Sequence, residues 1–257
     1  MARWLGANMR RPQNLLITGF SAGGAGATAN YAYVREQMKP LRSALLSDSG
    51  PLFNVPRQAS PTEAPSAPLH ATIREAWGLD GPDGLIARLM ARYPGVAGDP
   101  DNLSSLNTAI ANVFPQDRIG YSLTRSDALF AAFAYDHFHP DIQAGATMAE
   151  RDARRLSRWR QEVDAWAAPL RTHANIGLYI PYRRDNVLKS HTTTMVTFND
   201  TGIPEAGTRS VTDFIDNLID GQGPVMKAEA APSEPDSGWW ASLSRQLQDA
   251  LFESLGL

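Results

Sequence analysis

The stretch LLITGFSAGGAGATANYAYVREQ, residues 15–37, decides the fold. NLLITGF, beginning at Asn14, is short, apolar and followed at once by small residues, the pattern of a strand buried in a parallel sheet. Residues 25–38 have helical spacing, and Pro40 ends that helix. RSALLSDSG, residues 42–50, then reads as a second strand with a turn behind it. Strand, turn, helix and strand in that order make a βαβ unit, which predicts an α/β fold with a parallel sheet.

Upstream of this unit, ARWLGANM places Trp4, Leu5 and Met9 at helical spacing, and Arg11-Pro12 stops it. Downstream, residues 51–116 form an insertion. It opens with the proline- and serine-rich PRQASPTEAPSAP and continues in short helices around LHATIREAWGL, DGLIARLMARY and SSLNTAIANVF. An insertion of this kind is expected over the ends of the sheet, as a lid. RIGYSLT is a third strand and DALFAAFAYDHF the helix after it. A helix over residues 150–170, a fourth strand NIGLYIPY and a last helix SVTDFIDNLID complete a domain of residues 1–226. KAEAAPSEPDS begins a linker, residues 227–238. Residues 239–257 then form an amphipathic helix whose apolar face is Trp240, Leu243, Leu247, Leu251 and Leu255, suited to docking on its own domain or on a partner.

Composition narrows the function. At 257 residues, 43% hydrophobic and 20% charged, the chain is expected to fold around a sizeable core. A net charge of -3 argues against a nucleic-acid surface, which is ordinarily basic. No apolar run is long enough to span a bilayer, and MARWLGANMRRPQNLLITG has no signal-peptide pattern. With no cysteine there are no disulfides, no thiolate metal sites and no cysteine nucleophile. Neither a metal nor a cofactor is expected, and any imidazole base must be His70, His137, His139, His173 or His191.

Gly19-Phe20-Ser21-Ala22-Gly23 fits G-x-S-x-G, followed by Gly24, between a strand and a helix as a nucleophile elbow requires. A serine on so sharp a turn leaves room only for small neighbours, and the Ala22 N–H at the helix start can face an oxyanion. The plainer alternative is a tight or phosphate-cradling turn. No lysine follows the glycines and no G-x-G-x-x-G is correctly spaced, so phosphate readings are weak. In this fold class the triad runs serine, acid, histidine, each after a strand. His191 lies in the loop DNVLKSHTTTM after the fourth strand and fits the base. His173 precedes that strand, His137 and His139 end a helix, and His70 falls on the insertion, where a surface position is expected. For the acid, Asp127 directly follows the third strand, with Asp136 as the reserve. Asp48 also follows a strand, and turn capping is its plainer role.

On these residues the chain resembles the pectin acetylesterase/Notum family of α/β-hydrolase-fold carboxylesterases. ITGFSAGGAGATAN is similar to that family's G-x-S-A-G-G elbow, and LLSDSGPLF to its A-D-S/A-G-x-F segment. SLTRSDALFAAF resembles its acid region and KSHTTTM its base segment. The resemblance implies Ser21 as nucleophile, Asp127 as acid, His191 as base, and an acylated small molecule or acetylated polysaccharide as substrate. Against it, nothing before Asn14 is similar to the family's Gly-Gly-Gly-Trp segment, which supplies further oxyanion donors. The family's early strands lack counterparts too, so residues 15–18 should be exposed, or covered by a partner or a missing N-terminal segment. Were such a segment missing, the resemblance would imply a secreted or extracytoplasmic protein. Acyl transfer, peptide hydrolysis and a non-catalytic hydrolase-fold binding protein remain open on the residues alone.

Overall fold

Short apolar runs alternating with helices produce a five-stranded sheet, and every strand pair in it is parallel. The computed structural model describes residues 1–93, 98–184, 187–195 and 197–231. The strands β1 (Asn14–Phe20), β2 (Arg42–Asp48), β3 (Arg118–Ser122), β4 (Ile176–Ile180) and β5 (Lys227–Glu229) lie side by side in chain order. Parallel neighbours require long crossovers, and helices supply them. The helices are α1 (Ala2–Asn8), α2 (Ala22–Met38), α3 (Ala67–Ala76), α4 (Leu85–Arg92), α5 (Ser105–Val113), α6 (Ala128–Tyr135), α7 (Pro140–Gln143), α8 (Met148–Leu170), α9 (Val187–His191) and α10 (Val211–Asp220). The fold is therefore α/β, with a hydrolase-like parallel sheet. Among the described residues no helix is long and apolar enough to cross a membrane.

Two apolar clusters share the sheet. Along β2, Leu45 belongs to one cluster and Ala44 and Leu46 to the other, because successive strand residues point to opposite faces. The larger cluster joins Tyr31 of α2, Leu106 and Ile110 of α5, and Trp159 and Trp166 of α8. The smaller joins Val211, Phe214 and Leu218 of α10 to Tyr179 of β4. Each large apolar side chain buried this way contributes about 1.5–3 kcal/mol. Polar ties fix the helices over the strands: Trp159 Nε1–H donates to the Thr124 carbonyl at 3.0 Å, and Arg35 on α2 pairs with buried Asp117 at 2.8 Å.

Several expectations are corrected. The insertion is not only a lid: Phe53, Leu69, Leu89, Leu106 and Ile110 are buried in the larger cluster, so residues 51–116 form part of the wall on that face. Lys227–Glu229, expected to open a linker, instead pair with β4 as the last strand. The second helix starts at Ala22 rather than at residue 25, directly after the serine. The expected amphipathic helix of residues 239–257, and the linker from 232 on, lie outside the described residues.

Among the described residues, β1 forms one edge of the sheet. Leu15, Ile17 and Gly19 are half-buried, whereas Asn14, Leu16, Thr18 and Phe20 are exposed. The exposure expected at residues 15–18 is thus present on one of the strand's two faces. Among the described residues, α10 packs mainly on β2, β3 and β4 rather than on β1.

Candidate active site

Ser21 occupies the single residue between β1 and α2. Its backbone has φ 54 and ψ -130, a conformation that costs a non-glycine residue roughly 1–3 kcal/mol. Neighbouring backbone holds it there. The Ser21 N–H donates to the Asp48 carbonyl at 2.8 Å, and the Ser21 carbonyl accepts from Gly24 N–H at 2.9 Å. The glycines divide the steric requirement unequally. A Cβ on Gly19 would lie 2.2 Å from the Gly23 carbonyl oxygen, and one on Gly24 would lie 2.8 Å from that of Asp48. A Cβ on Gly23 would meet nothing within 4 Å, so the second glycine of G-x-S-x-G is not demanded by space. The constraint falls instead on Gly19 and Gly24, where strand, turn and helix backbones touch.

The Ser21 side chain caps none of the first amides of α2. It reaches instead toward His191, whose Nε2 lies 2.9 Å from Ser21 Oγ. His191 Nδ1 lies 2.8 Å from Asp127 Oδ2. An ionised carboxylate only accepts, so Nδ1 carries the proton and Nε2 is left to accept the Ser21 hydroxyl. The sequence expected His191 in a loop; it is the last residue of α9, which presents the ring at the C-terminal end of β4.

Asp127 is fully buried and is the N-cap of α6, with Oδ1 accepting the Phe130 N–H at 2.8 Å. That cap fixes one carboxylate oxygen and leaves the other for the imidazole. Burial pushes Asp127 above the usual carboxylate range, against the pull of His191. On His191 burial opposes the charged form, but the charges of Asp127 and Asp48 outweigh it and raise the imidazole above its ordinary 6.5. The Phe130 ring lies 6.2 Å from the imidazole, closing one side of it.

The other candidates are placed elsewhere. Asp136, the reserve acid, is bound to Arg155. His139 is buried with Nε2 on the Pro65 carbonyl at 2.8 Å, and His137 is exposed. His173 sits before β4, away from the strand end that carries the base. His70 is buried rather than on the surface, and burial lowers its pKa to about 4. Among the described residues no cluster of three or more His, Asp or Glu side chains could hold a metal ion.

Sequence reasoning missed what surrounds the base. Thr124 Oγ1–H donates to the Ser190 carbonyl at 2.5 Å, and Arg184 N–H donates to Ser190 Oγ at 2.8 Å. Asp48, read as a turn cap, bonds to Thr193 and Thr194 on the far side of the histidine. The only signals were a third acid after a strand and a run of threonines after the base. A hydroxyl aimed at an imidazole that is backed by a carboxylate, beside the start of a helix, is an arrangement suited to acyl transfer.

No protein-family model, no curated protein and no solved structure matches the chain.

Proposed function

We propose that the protein is a serine carboxylesterase that removes short acyl groups. The observation that carries this reading is the unbroken pair of contacts from Ser21 Oγ to His191 at 2.9 Å and from His191 to Asp127 at 2.8 Å. In this reading His191 Nε2 takes the Ser21 proton as Oγ attacks the ester carbonyl. Asp127 holds the tautomer and stabilises the imidazolium, and the Ala22 N–H faces the oxyanion. His191 then returns the proton to the departing alcohol. Water, deprotonated by the same nitrogen, releases the acid and restores the serine. By the resemblance to pectin acetylesterases, the acyl group is acetyl and its carrier a sugar polymer; other short acyl esters are equally consistent with the residues at the site.

The test is hydrolysis of p-nitrophenyl acetate by the wild type and by Ser21→Ala, with labelling of Ser21 by a fluorophosphonate. Serine-dependent turnover and a single label at Ser21 support the esterase. Equal rates in both proteins and no label reject it. A second reading, a non-catalytic binding protein of the same fold, draws on one face of β1, where Leu16 and Phe20 are exposed among the described residues. The same measurement separates the two.

A further inference from the structure

Asp48 ends β2 and is fully buried, yet its hydrogen bonds do not go where a turn cap's would. Its carboxylate gathers donors from the two residues beyond Thr192, just past the base. Thr193 N–H reaches Oδ1 at 3.1 Å and Oδ2 at 2.9 Å, and Thr194 N–H reaches Oδ2 at 2.8 Å. The Thr193 hydroxyl donates to Oδ1 at 3.1 Å and the Thr194 hydroxyl to Oδ2 at 2.6 Å. Ser49 Oγ–H donates to Oδ1 at 2.9 Å. At its other end, the Asp48 carbonyl accepts the Ser21 N–H at 2.8 Å. A single residue therefore grips the serine turn with its main chain and the histidine segment with its side chain.

We propose that Asp48 is the positioning residue of this site, setting the His191 imidazole in register with the Ser21 hydroxyl. The inference rests on the esterase reading and deepens it. A carboxylate is needed because both of its oxygens only accept, and two N–H groups and three hydroxyls converge on them. An asparagine would turn an N–H₂ toward donors, and the fixed backbone N–H groups could not rotate away as hydroxyls can. The charge has a second consequence. Asp127 from α6 and Asp48 from β2 are the anions acting on His191, while the elbow presents the neutral Ser21 hydroxyl and α6 also the Phe130 ring. Both anions favour the imidazolium that forms when the serine gives up its proton.

The experiment uses the full chain and Asp48→Asn, with p-nitrophenyl acetate as substrate across pH and an NMR titration of the His191 ring. Loss of register should lower kcat about 100-fold while KM changes less than about twofold, because an interaction expressed in the transition state is removed. Loss of the charge should move the acid limb of kcat/KM, and the His191 titration, to lower pH. A purely structural role would lower thermal stability and leave the His191 titration in place. A folded Asp48→Asn with wild-type kcat and an unmoved titration overturns the proposal. If that variant does not fold, Thr194→Val deletes one donor and keeps the charge. It should lower kcat by about threefold to tenfold with the His191 titration unmoved, since one hydrogen bond of several to the carboxylate is lost and the others remain. Wild-type kcat in Thr194→Val then overturns the proposal. Should wild type and Ser21→Ala turn over equally, the esterase reading fails by itself. The His191 titration in Asp48→Asn, or in Asp48→Ser if needed for folding, still decides whether Asp48 acts on the imidazole.

Discussion

β1 and β4 belong to one parallel sheet, and their surroundings are opposite. All five residues of β4 are buried, whereas β1 alternates between half-buried and exposed along its whole length. Parallel strands are normally covered on both faces, so β4 is the ordinary case and β1 the exception. Yet the serine hangs on the end of β1, and the base on the segment after β4. Coverage of the strand is therefore not what makes the site exact. The serine turn is fixed by local ties, namely the Ser21 N–H on the Asp48 carbonyl and the Gly24 N–H on the Ser21 carbonyl. The base is fixed by Asp127 on one side and by the Asp48 clamp on the other. The bare strand and the buried strand deliver their side chains through polar contacts, not through packing.

The largest test of that contrast is Ser21→Ala. It should lower kcat about 10⁵-fold or more, as loss of a nucleophile does, and leave thermal stability near the wild-type value. A loss below tenfold would mean that the hydroxyl on the exposed strand is not the reacting group. Asp127→Asn should follow, at about 10³–10⁴-fold, because an amide N–H₂ facing Nδ1 favours the wrong tautomer. The pH profile tests the same ties without mutation. The base works only when neutral, and His191 is raised above 6.5 by Asp127 and Asp48. The rate should therefore fall as pH drops through a value above 6.5, and a limb clearly below it would contradict the buried pair of anions around the ring.

These ties explain what the sequence could and could not disclose. Ser21 was legible because strand, glycines and helix are contiguous, and the strain at one residue leaves a local signature. His191 and Asp127 were legible through chain order, since a parallel sheet delivers each strand end to the same rim. Asp48 was not legible in its role, because its partners Thr193 and Thr194 are far away in the chain and threonines carry no pattern of their own. Gly23 was over-read: the motif names it, but space does not require it. β5 escaped because Lys227–Glu229 is charged at both ends and too short for an alternation to register, while pairing with β4 is a tertiary decision. His70 escaped for a similar reason, since its burial depends on how the insertion folds into the core and not on its neighbours in sequence.

The smallest expected effect tests the contrast between β1 and β4 most directly. Leu178 lies in β4 with 0% exposure, and Leu16 in β1 with 36%. Leu178→Ala deletes close-packed atoms and leaves a cavity, so it should cost about 2–5 kcal/mol. At about 2–4 °C per kcal/mol for a chain of this size, calorimetry or a thermal melt will resolve it. Leu16→Ala removes a side chain that is exposed among the described residues, and should stay within about 0.5 kcal/mol. Neither residue takes part in the hydrogen bonds that join Ser21, His191 and Asp127, so Leu16→Ala should keep the wild-type rate. If Leu16→Ala instead destabilises as much as Leu178→Ala, and does so more at higher protein concentration, the face is covered in solution by a second copy of the chain. β1 would then be an ordinary buried strand completed by association, and the serine would owe its fixed position to that packing as well as to the contacts within one chain.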